Sequence, residues 1–315
     1  MKKISFVIPC YRSEQTLPGV IKEINEKMTS MSDKYTYEII LVNDSSPDAT
    51  YEVIVELAGK QDNIVGIDLS KNFGQHAALM AGFHYVTGDI TVCLDDDGQT
   101  PAGEVDKLIS KIEEGFDVAY AKYNHKKHSP FRNFGSWVNE KMLQFLLGKP
   151  KELYVSSYFA ARKFVIDEVL KYDKNYPYVI GLVLRSTKHI VNVEVNHRER
   201  EVGSSGYTFK KLITLWMNGF TAFSVTPLRV STYSGFLLAF LGFIYGIYTI
   251  IKHFVIGTAP MGYASMMSAL MFIGGMILLM LGMVGEYIGR MYICINNSPQ
   301  YVVKETYNIE DKNER

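Results

Sequence analysis

The chain has 315 residues and a formal net charge of +0, so no overall field directs it to nucleic acid or to an anionic surface. Its three cysteines, Cys10, Cys93 and Cys294, are widely spaced, which excludes a disulfide framework and a zinc site of paired cysteines. We therefore expect a reducing compartment and partners that are recognised locally.

The first hundred residues alternate short β-branched runs with helical patterns. The predicted strands are Ile4–Ile8, Tyr37–Val42, Val65–Leu69 and Ile90–Leu94, and the predicted helices are Thr16–Met28, Asp48–Gly59 and Gln75–Val86. This alternation is typical of an α/β fold with a doubly wound, mostly parallel sheet covered by helices. In such open sheets ligands bind at the carboxyl ends of the strands, so the loops that follow the strands are the place to look for a site.

Three consecutive acids follow the fourth predicted strand, in the segment LDDDGQTP. Adjacent carboxylates repel one another unless positive charge lies beside them, and a hard divalent cation that bridges to phosphate oxygens would supply it. Because alternate residues of an extended chain point to the same side, Asp95 and Asp97 are expected to act together and Asp96 to point elsewhere. A solvated acidic turn is the alternative.

Two aromatic-rich segments precede the last third of the chain. In residues 207–229, apolar side chains recur near helical spacing and two lysines fall on another face, which favours an amphipathic helix lying in a membrane interface. Phe131–Leu147 has a similar composition, and an ordinary amphipathic helix packed on the sheet explains it equally well.

Two uncharged stretches follow, Val230–Ile251 and Tyr263–Gly285. Each is long enough to cross roughly 30 Å of hydrocarbon as a helix. The loop between them has one lysine and one histidine, Lys252 and His253, whereas several basic residues flank the pair. The positive-inside rule then places both ends of the chain in the cytoplasm, and the short apolar run of the N-terminus, MKKISFVIPCY, is no signal peptide.

Five segments, taken in order along the chain, resemble motifs of family 2 glycosyltransferases. They are ISFVIPCYRSEQTL, VNDSSPDAT, LSKNFGQHAALMAG, LDDDGQTP and REREVGSSGYTFKKL. The last resembles the R-x-x-G-x-S-x-Y element of the polyprenyl-phosphate branch, and the two uncharged stretches followed by GEYIGRMY match that branch too. The branch includes dolichol-phosphate mannose synthases, undecaprenyl-phosphate glucosyltransferases and undecaprenyl-phosphate aminoarabinose transferases.

The resemblance implies a nucleotide-sugar transferase (GT-A) fold and a catalytic role for three residues. Asp97 would ligate Mg²⁺ or Mn²⁺, and Asp95 would bond the ribose or a metal-bound water. Arg200 would neutralise the leaving diphosphate with its fork of donors. Gln99 would support the donor or acceptor end of the site.

Nucleotide binding is implied for a wider set of residues. Pro9 and Tyr11 would shape the first loop, with the tyrosine ring against the base, and Glu14 and Asp44 would meet the base or ribose. Lys71 would reach the nucleotide. The complete predicted set is Pro9, Tyr11, Glu14, Asp44, Lys71, Asp95, Asp96, Asp97, Gln99 and Arg200.

The chain also departs from the family pattern. Asn43 stands where an acid is common, and Ser45 where glycine is common. Ser156 and Ser157 occupy a place where some relatives have an acid, so no carboxylate base is predicted there. His76 opens a predicted helix, and we assign it a structural role.

The sequence thus predicts a membrane-bound, inverting glycosyltransferase that moves one sugar from a nucleotide sugar to a polyprenyl phosphate. A UDP-sugar is the expected donor, with GDP-mannose second; the sugar and a homo-oligomeric state are left open, and no nucleic acid is involved. The predicted domains are a cytoplasmic catalytic domain (1–206), an interfacial region (207–229), two spans (230–251 and 263–285) and a cytoplasmic tail (286–315) in a multi-pass inner-membrane protein.

Two other functions are alternatives to this prediction. A processive polysaccharide synthase would share the acidic motif but add a Q-x-x-R-W element, and neither Trp137 nor Trp216 follows an arginine. A non-catalytic scaffold that binds nucleotide sugars would not need the intact set Asp95, Asp97 and Arg200.

Overall fold

The computed structural model describes residues 1–123, 149–196, 262–296 and 299–309, together with residue 144 and isolated positions between 228 and 255. Its centre is an eight-stranded sheet with the order β7-β5-β6-β4-β1-β2-β3-β8. The strands are β1 (Lys2–Cys10), β2 (Tyr35–Asn43), β3 (Ile64–Leu69), β4 (Ile90–Cys93), β5 (Val118–Tyr123), β6 (Phe159–Arg162), β7 (Ile190–Val195) and β8 (Val303–Tyr307).

The described helices surround this sheet, apart from the last. They are α1 (Leu17–Thr29), α2 (Thr50–Lys60), α3 (Gln75–Phe83), α4 (Val105–Glu113), α5 (Lys163–Leu170), α6 (Val179–Ser186) and α7 (Tyr263–Ile295). The sequence explains their packing: α1, for example, buries Leu17, Ile21, Ile24 and Met28, which share one face of a helix. Strand β1 is buried from Ile4 onward, as a central strand covered on both faces requires.

The sheet is mixed rather than purely parallel. Strand β1 pairs in parallel with β2 and β4, β2 with β3, and β5 with β7. Strand β6 runs antiparallel to β4 and β5, and β8 runs antiparallel to β3. The predicted α/β fold is confirmed, with the first four strands and three helices close to their expected bounds. The sheet is mostly parallel, as predicted, because among the described strands only β6 and β8 run against the others.

Helix α3 lies unusually close to the sheet. All of its residues from Ala77 to Phe83 are buried. A Cβ added at Gly82 would lie 2.5 Å from a methyl carbon of Val7 and 3.1 Å from one of Val42. Small residues therefore let the helix backbone approach β1 and β2, so that α3 begins beside the carboxyl ends of these strands.

The described residues form two compact units, one built on the sheet and the other containing α7. Helix α7 has 33 residues, or about 50 Å at 1.5 Å per residue. Within it, Phe272–Gly289 has a mean hydropathy of 1.7 and none of its residues is buried, which makes it the one described helix long and apolar enough to cross a membrane.

The second predicted span, 263–285, thus lies inside a longer helix, and part of the predicted tail forms β8 of the sheet. The segment Phe131–Leu147 lies outside the described residues except at Gln144. The interfacial region 207–229 and the first span 230–251 are described at isolated positions alone, so their predicted structures stay predictions.

Candidate active site at the carboxyl ends of the strands

The loops after β1 and β4 are joined by hydrogen bonds at one edge of the sheet. The main-chain N–H of Tyr11 donates to the Asp96 carboxylate at 2.9 Å, and the Thr16 hydroxyl donates to the Asp96 carbonyl at 2.6 Å. The N–H of Asp44, just beyond β2, donates to the Cys10 carbonyl at 3.0 Å. Three neighbouring parallel strands therefore bring the first loop, the β2 loop and the acidic motif together, as the sequence predicts.

Both carboxylate oxygens of Asp95 accept hydrogen bonds from side chains of other elements. The Gln75 amide at the start of α3 donates to Oδ1 at 2.8 Å, and the Ser157 hydroxyl donates to Oδ2. Ser157 reaches this position because β6 runs antiparallel to β4, with Phe159 opposite Cys93, so that β6 begins where β4 ends. Sequence reasoning did not identify Gln75 or Ser157 as partners of Asp95.

Asp96 faces the first loop, as the expected alternation of the three acids requires. Burial raises the pKa of this carboxyl to about 6, opposed by hydrogen bonds from the Tyr11 N–H and the Ser13 side chain and assisted by the neighbouring Asp95 and Asp97 carboxylates. The Asp96 carboxylate is partly buried, and through these hydrogen bonds with protein groups it ties the first loop to the acidic motif.

Asp97 lies in a tight turn. The Gln99 N–H donates to its Oδ1 at 3.1 Å, and Gly98 between them has a φ of 72°, a conformation that favours glycine. Tyr123, at the end of β5, lies near the motif: burial raises the pKa of its phenol, and the Asp95 charge raises it further. The sequence analysis missed Tyr123, since only the fold brings β5 to this edge.

The motif is chemically suited to a hard divalent cation. Asp95 and Asp97 offer carboxylate oxygens, the ligands that Mg²⁺ and Mn²⁺ prefer. Within the described ranges, no group of three or more His, Cys, Asp or Glu side chains could hold a metal alone. A cation here would complete its coordination with water and phosphate oxygens, as Mg²⁺ usually does when it binds together with a phosphorylated substrate.

The Asp44 carboxylate accepts hydrogen bonds from main-chain groups. This buried carboxylate accepts the N–H groups of Phe73 and Gly74 at 2.7 Å and 2.8 Å, and burial raises its pKa against these two bonds. Gly74 has a φ of 92° and is followed by Gln75, the first residue of α3. Asp44 therefore fixes the start of α3 and, through it, the amide that bonds Asp95. Its expected contact with base or ribose stays a prediction.

Glu14 also makes a contact within the protein. Its carboxylate accepts the N–H of Ala49 at 2.9 Å, at the start of α2, where a negative charge is favoured by the helix dipole. The predicted bond to the nucleotide is not tested by this geometry.

The remaining predicted nucleotide residues in the described part lie beside the same loops. Pro9 is buried in β1, and the Tyr11 ring is 44% exposed with the Arg12 guanidinium 5.6 Å from its centroid. Lys71 is exposed, with its ammonium 5.0 Å from the centre of the Phe73 ring. An exposed aromatic ring beside a cation is a suitable platform for a base.

Two departures from the family pattern have physical explanations. Ser45 has a φ of 51°, the left-handed conformation for which glycine is favoured. The Asn43 amide donates to Asp68 Oδ1 at 2.7 Å, while its carbonyl oxygen accepts the Ser46 N–H at 3.1 Å. An acid at position 43 would lose the first of these bonds and face the buried Asp68 carboxylate.

His76 is packed rather than poised for catalysis. Burial lowers its pKa to about 4, and its ring meets that of Tyr178 edge-on at 5.1 Å. Its Nδ1 is buried and has no hydrogen-bond partner in the part of the chain that the structure describes.

Arg200 lies outside the described residues. Strand β7 ends at Val195, which pairs with Tyr123 in the parallel register of β5 and β7. The next residue, Asn196, donates its amide to Glu104 at 2.8 Å. Strand β7 therefore ends at the edge of the sheet that carries the acidic motif.

Residues 5–170 match the family described as Glycosyl transferase family 2, and residues 226–291 match the GtrB C-terminal hairpin. The chain belongs to glycosyl transferase family 2. The family assignment made from the sequence motifs is thereby confirmed, and the hairpin match covers the whole of both predicted spans.

Full-length relatives within the family are transferases. The chain is 33% identical over 308 residues to undecaprenyl-phosphate 4-deoxy-4-formamido-L-arabinose transferase of Klebsiella pneumoniae, covering 96% of this chain and 93% of the relative. It is 32% identical to the enzyme of the same name from Proteus mirabilis, covering 99% and 96%.

Among solved structures, the chain resembles glucosyl-3-phosphoglycerate synthase from Mycobacterium tuberculosis with phosphoglyceric acid. The TM-score is 0.50 at 20% identity, covering 69% of this chain and 76% of that one. At this identity the likeness shows the GT-A-type fold alone.

Proposed function

We propose that the chain transfers one sugar from a nucleoside-diphosphate sugar to undecaprenyl phosphate or a related polyprenyl phosphate. The observation that carries the proposal is the near full-length similarity to undecaprenyl-phosphate transferases, combined with an acidic motif at the carboxyl ends of the strands. The sugar named for those relatives, 4-deoxy-4-formamido-L-arabinose, is the first candidate. A UDP-sugar is the proposed donor, with GDP-mannose second.

In the proposed reaction a phosphate oxygen of the acceptor attacks the anomeric carbon of the donor sugar. The bond from that carbon to the diphosphate breaks, the diphosphate leaves with the electron pair, and the anomeric configuration inverts. Asp95 and Asp97 would hold a Mg²⁺ or Mn²⁺ ion, which supplies positive charge for the leaving diphosphate. Arg200 is proposed to add further charge through bidentate hydrogen bonds.

No dedicated general base is needed for this acceptor. The second pKa of a phosphate monoester is about 6, so near neutral pH its oxygens are already largely deprotonated. Ser157 is then proposed to orient Asp95 rather than to remove a proton.

The membrane supplies the acceptor. We propose two membrane spans, 230–251 and 263–285, with the catalytic unit in the cytoplasm. The hairpin match over 226–291 and the exposed apolar surface of α7 support this arrangement. Both ends of the chain would then lie on the side where nucleotide sugars are made.

The proposal is tested with the purified full-length protein in detergent and Mn²⁺. A panel of labelled UDP- and GDP-sugars is incubated with undecaprenyl phosphate, with undecaprenol, or without lipid. We expect one donor to react, and only in the mixture that contains undecaprenyl phosphate. In that mixture it should release its nucleoside diphosphate and transfer its labelled sugar to the lipid. Equal release in all three mixtures, or transfer to undecaprenol, would overturn the proposed acceptor.

A further inference from the structure

Strand β8 is fastened to the catalytic sheet along its length. It pairs with β3, the Ser70 N–H donates to the Val302 carbonyl at 2.9 Å, and the Asn308 amide donates to the Ala58 carbonyl at 2.5 Å. In the segment between α7 and β8, the Gln300 amide donates to the Lys174 carbonyl at 2.8 Å. The segment that follows α7 is therefore an integral part of the sheet.

A continuous line of polar contacts runs from β8 to the first loop. The Lys304 ammonium lies 3.0 Å from Asp68 Oδ2, and Asp68 Oδ1 accepts the Asn43 amide at 2.7 Å. The side-chain Oδ1 of Asn43 accepts the Ser46 N–H at 3.1 Å, and the Ser46 hydroxyl oxygen accepts the Arg12 N–H at 2.7 Å. Each link joins a different strand or loop, and the last one holds the residue beside Tyr11.

The Asp68 side chain is far more buried than that of Lys304, and this difference makes the lysine important to the line of contacts. The Asp68 side chain is 5% exposed, whereas that of Lys304 is 63% exposed. A buried carboxylate that loses its charge partner is strongly destabilised, while an exposed lysine loses little. Removing the ammonium would therefore disturb Asp68 first, and Asn43 through the hydrogen bond that they share.

We propose that Lys304 is a positioning residue for nucleotide binding, which it supports by holding the first loop through Asp68, Asn43 and Ser46. This inference rests on the proposed function, because it takes the first loop as part of the nucleotide site. It also assigns a role to the chain after α7: the segment that follows the membrane-associated unit helps to set the donor affinity.

The test uses the full-length protein with Lys304→Met, Lys304→Arg and two controls. Lys60→Met removes a lysine of similar exposure, 64% against 63%, whose partner Glu56 on α2 is itself exposed and lies outside the line. Asn308→Ala loosens β8 at its other end and leaves Lys304 and Asp68 unchanged. Two quantities are measured: amide hydrogen exchange of the peptide containing Tyr11 and Arg12, and UDP affinity in Mn²⁺ by calorimetry, with donor KM and kcat once the donor is known.

We expect Lys304→Met to weaken UDP binding and raise donor KM by about three- to tenfold, the effect of leaving a buried carboxylate without its ion partner. The value of kcat should stay within about twofold, since none of the changed groups touches the reacting atoms. Exchange in the first loop should accelerate about threefold or more. Lys304→Arg should restore all these values, and both controls should match wild type in the first loop.

Unchanged exchange in the first loop of Lys304→Met would overturn the inference, whatever the donor proves to be. Equal acceleration in Asn308→Ala would also overturn it, since loose pairing of β8 would then be the cause. If wild type binds no UDP, the proposed donor fails while the exchange experiment still decides the role of Lys304. A fall in kcat with unchanged KM would contradict positioning of the nucleotide.

Discussion

The loops after β2 and β4 leave the sheet at the same edge, and each holds an aspartate whose two carboxylate oxygens both accept hydrogen bonds. Asp44, after β2, bonds the main-chain N–H groups of Phe73 and Gly74. Asp95, after β4, bonds the side chains of Gln75 and Ser157. Main-chain donors are fixed by the fold, whereas an amide and a hydroxyl can rotate. We therefore expect the β2 loop to be rigid and the acidic motif after β4 to be able to exchange its partners for a ligand.

The largest effect is expected at the acidic motif. Asp97→Asn should lower kcat about a thousandfold, or about 4 kcal/mol, since a ligand of the proposed cation is lost. Asp173→Asn, an exposed acid paired with Lys174, is the matched control and should retain full activity. Lipid-linked product formation is measured with and without chelator. Full activity of Asp97→Asn in chelator would show that the acidic motif holds no catalytic metal. The proposed difference between a rigid β2 loop and a ligand-binding acidic motif would then fail as well.

The second prediction concerns the stability of the segment that Asp44 fixes. His76 has a folded pKa of about 4, below its ordinary value of 6.5, so the unfolded chain takes up a proton first on acidification. Stability should therefore fall by about 2 to 3 kcal/mol between pH 6.5 and pH 4 in wild type relative to His76→Phe. Urea unfolding at several pH values, referred to pH 7.5, measures this difference. Parallel pH curves would show that the ring is not buried as described.

The third prediction compares the two aspartates directly. Asp44→Asn should lower the free energy of unfolding by about 2 kcal/mol, because an amide can accept one of the two N–H groups and must oppose the other. Asp95→Asn should change it by less than about 0.5 kcal/mol, since the Gln75 amide and Ser157 hydroxyl can reorient. Urea titrations in chelator provide the measurement. Equal losses would mean that the two loops are equally rigid.

The smallest effect is expected from two adjacent serines. Ser157→Ala should lower kcat about three- to tenfold, since Asp95 loses one orienting bond of about 1 kcal/mol. Ser156, whose buried hydroxyl donates to the Ala121 carbonyl at 2.9 Å, is the control. Ser156→Ala should cost about 1 kcal/mol of stability and leave kcat within about twofold. A loss of more than a hundredfold in Ser157→Ala would indicate that the hydroxyl takes part in proton transfer.

Local sequence patterns were sufficient to predict the first four strands of the chain, β1 to β4. The runs that form β1 to β4 are β-branched and are separated by helical repeats, so their type and order follow from residues close in sequence. Strands β6 and β8 gave no such signal: FAAR is four residues long, and three of the five residues of VKETY are charged or polar. Each is a strand because of its pairing with a distant one, which a local pattern does not contain.

The site shows the same division. The acidic motif, Tyr11 and Asp44 were placed correctly at one edge because each follows a parallel strand. The partners Gln75 and Ser157 were missed, since they are separated from Asp95 by 20 and 62 residues. Arg200 and the first predicted span stay predictions, because their surroundings lie beyond the described ranges.

The pairing of β3 with β8 has a consequence for the biosynthesis of the protein. Strand β3 is made early, and its partner β8 is made only after both apolar stretches have been synthesised. Until then the hydrogen-bonding edge of β3 has no strand beside it, and an unpaired edge is a site for aggregation. Synthesis of both apolar stretches therefore precedes completion of the sheet, and a chain shortened before residue 300 would keep an open edge even if its remaining elements fold.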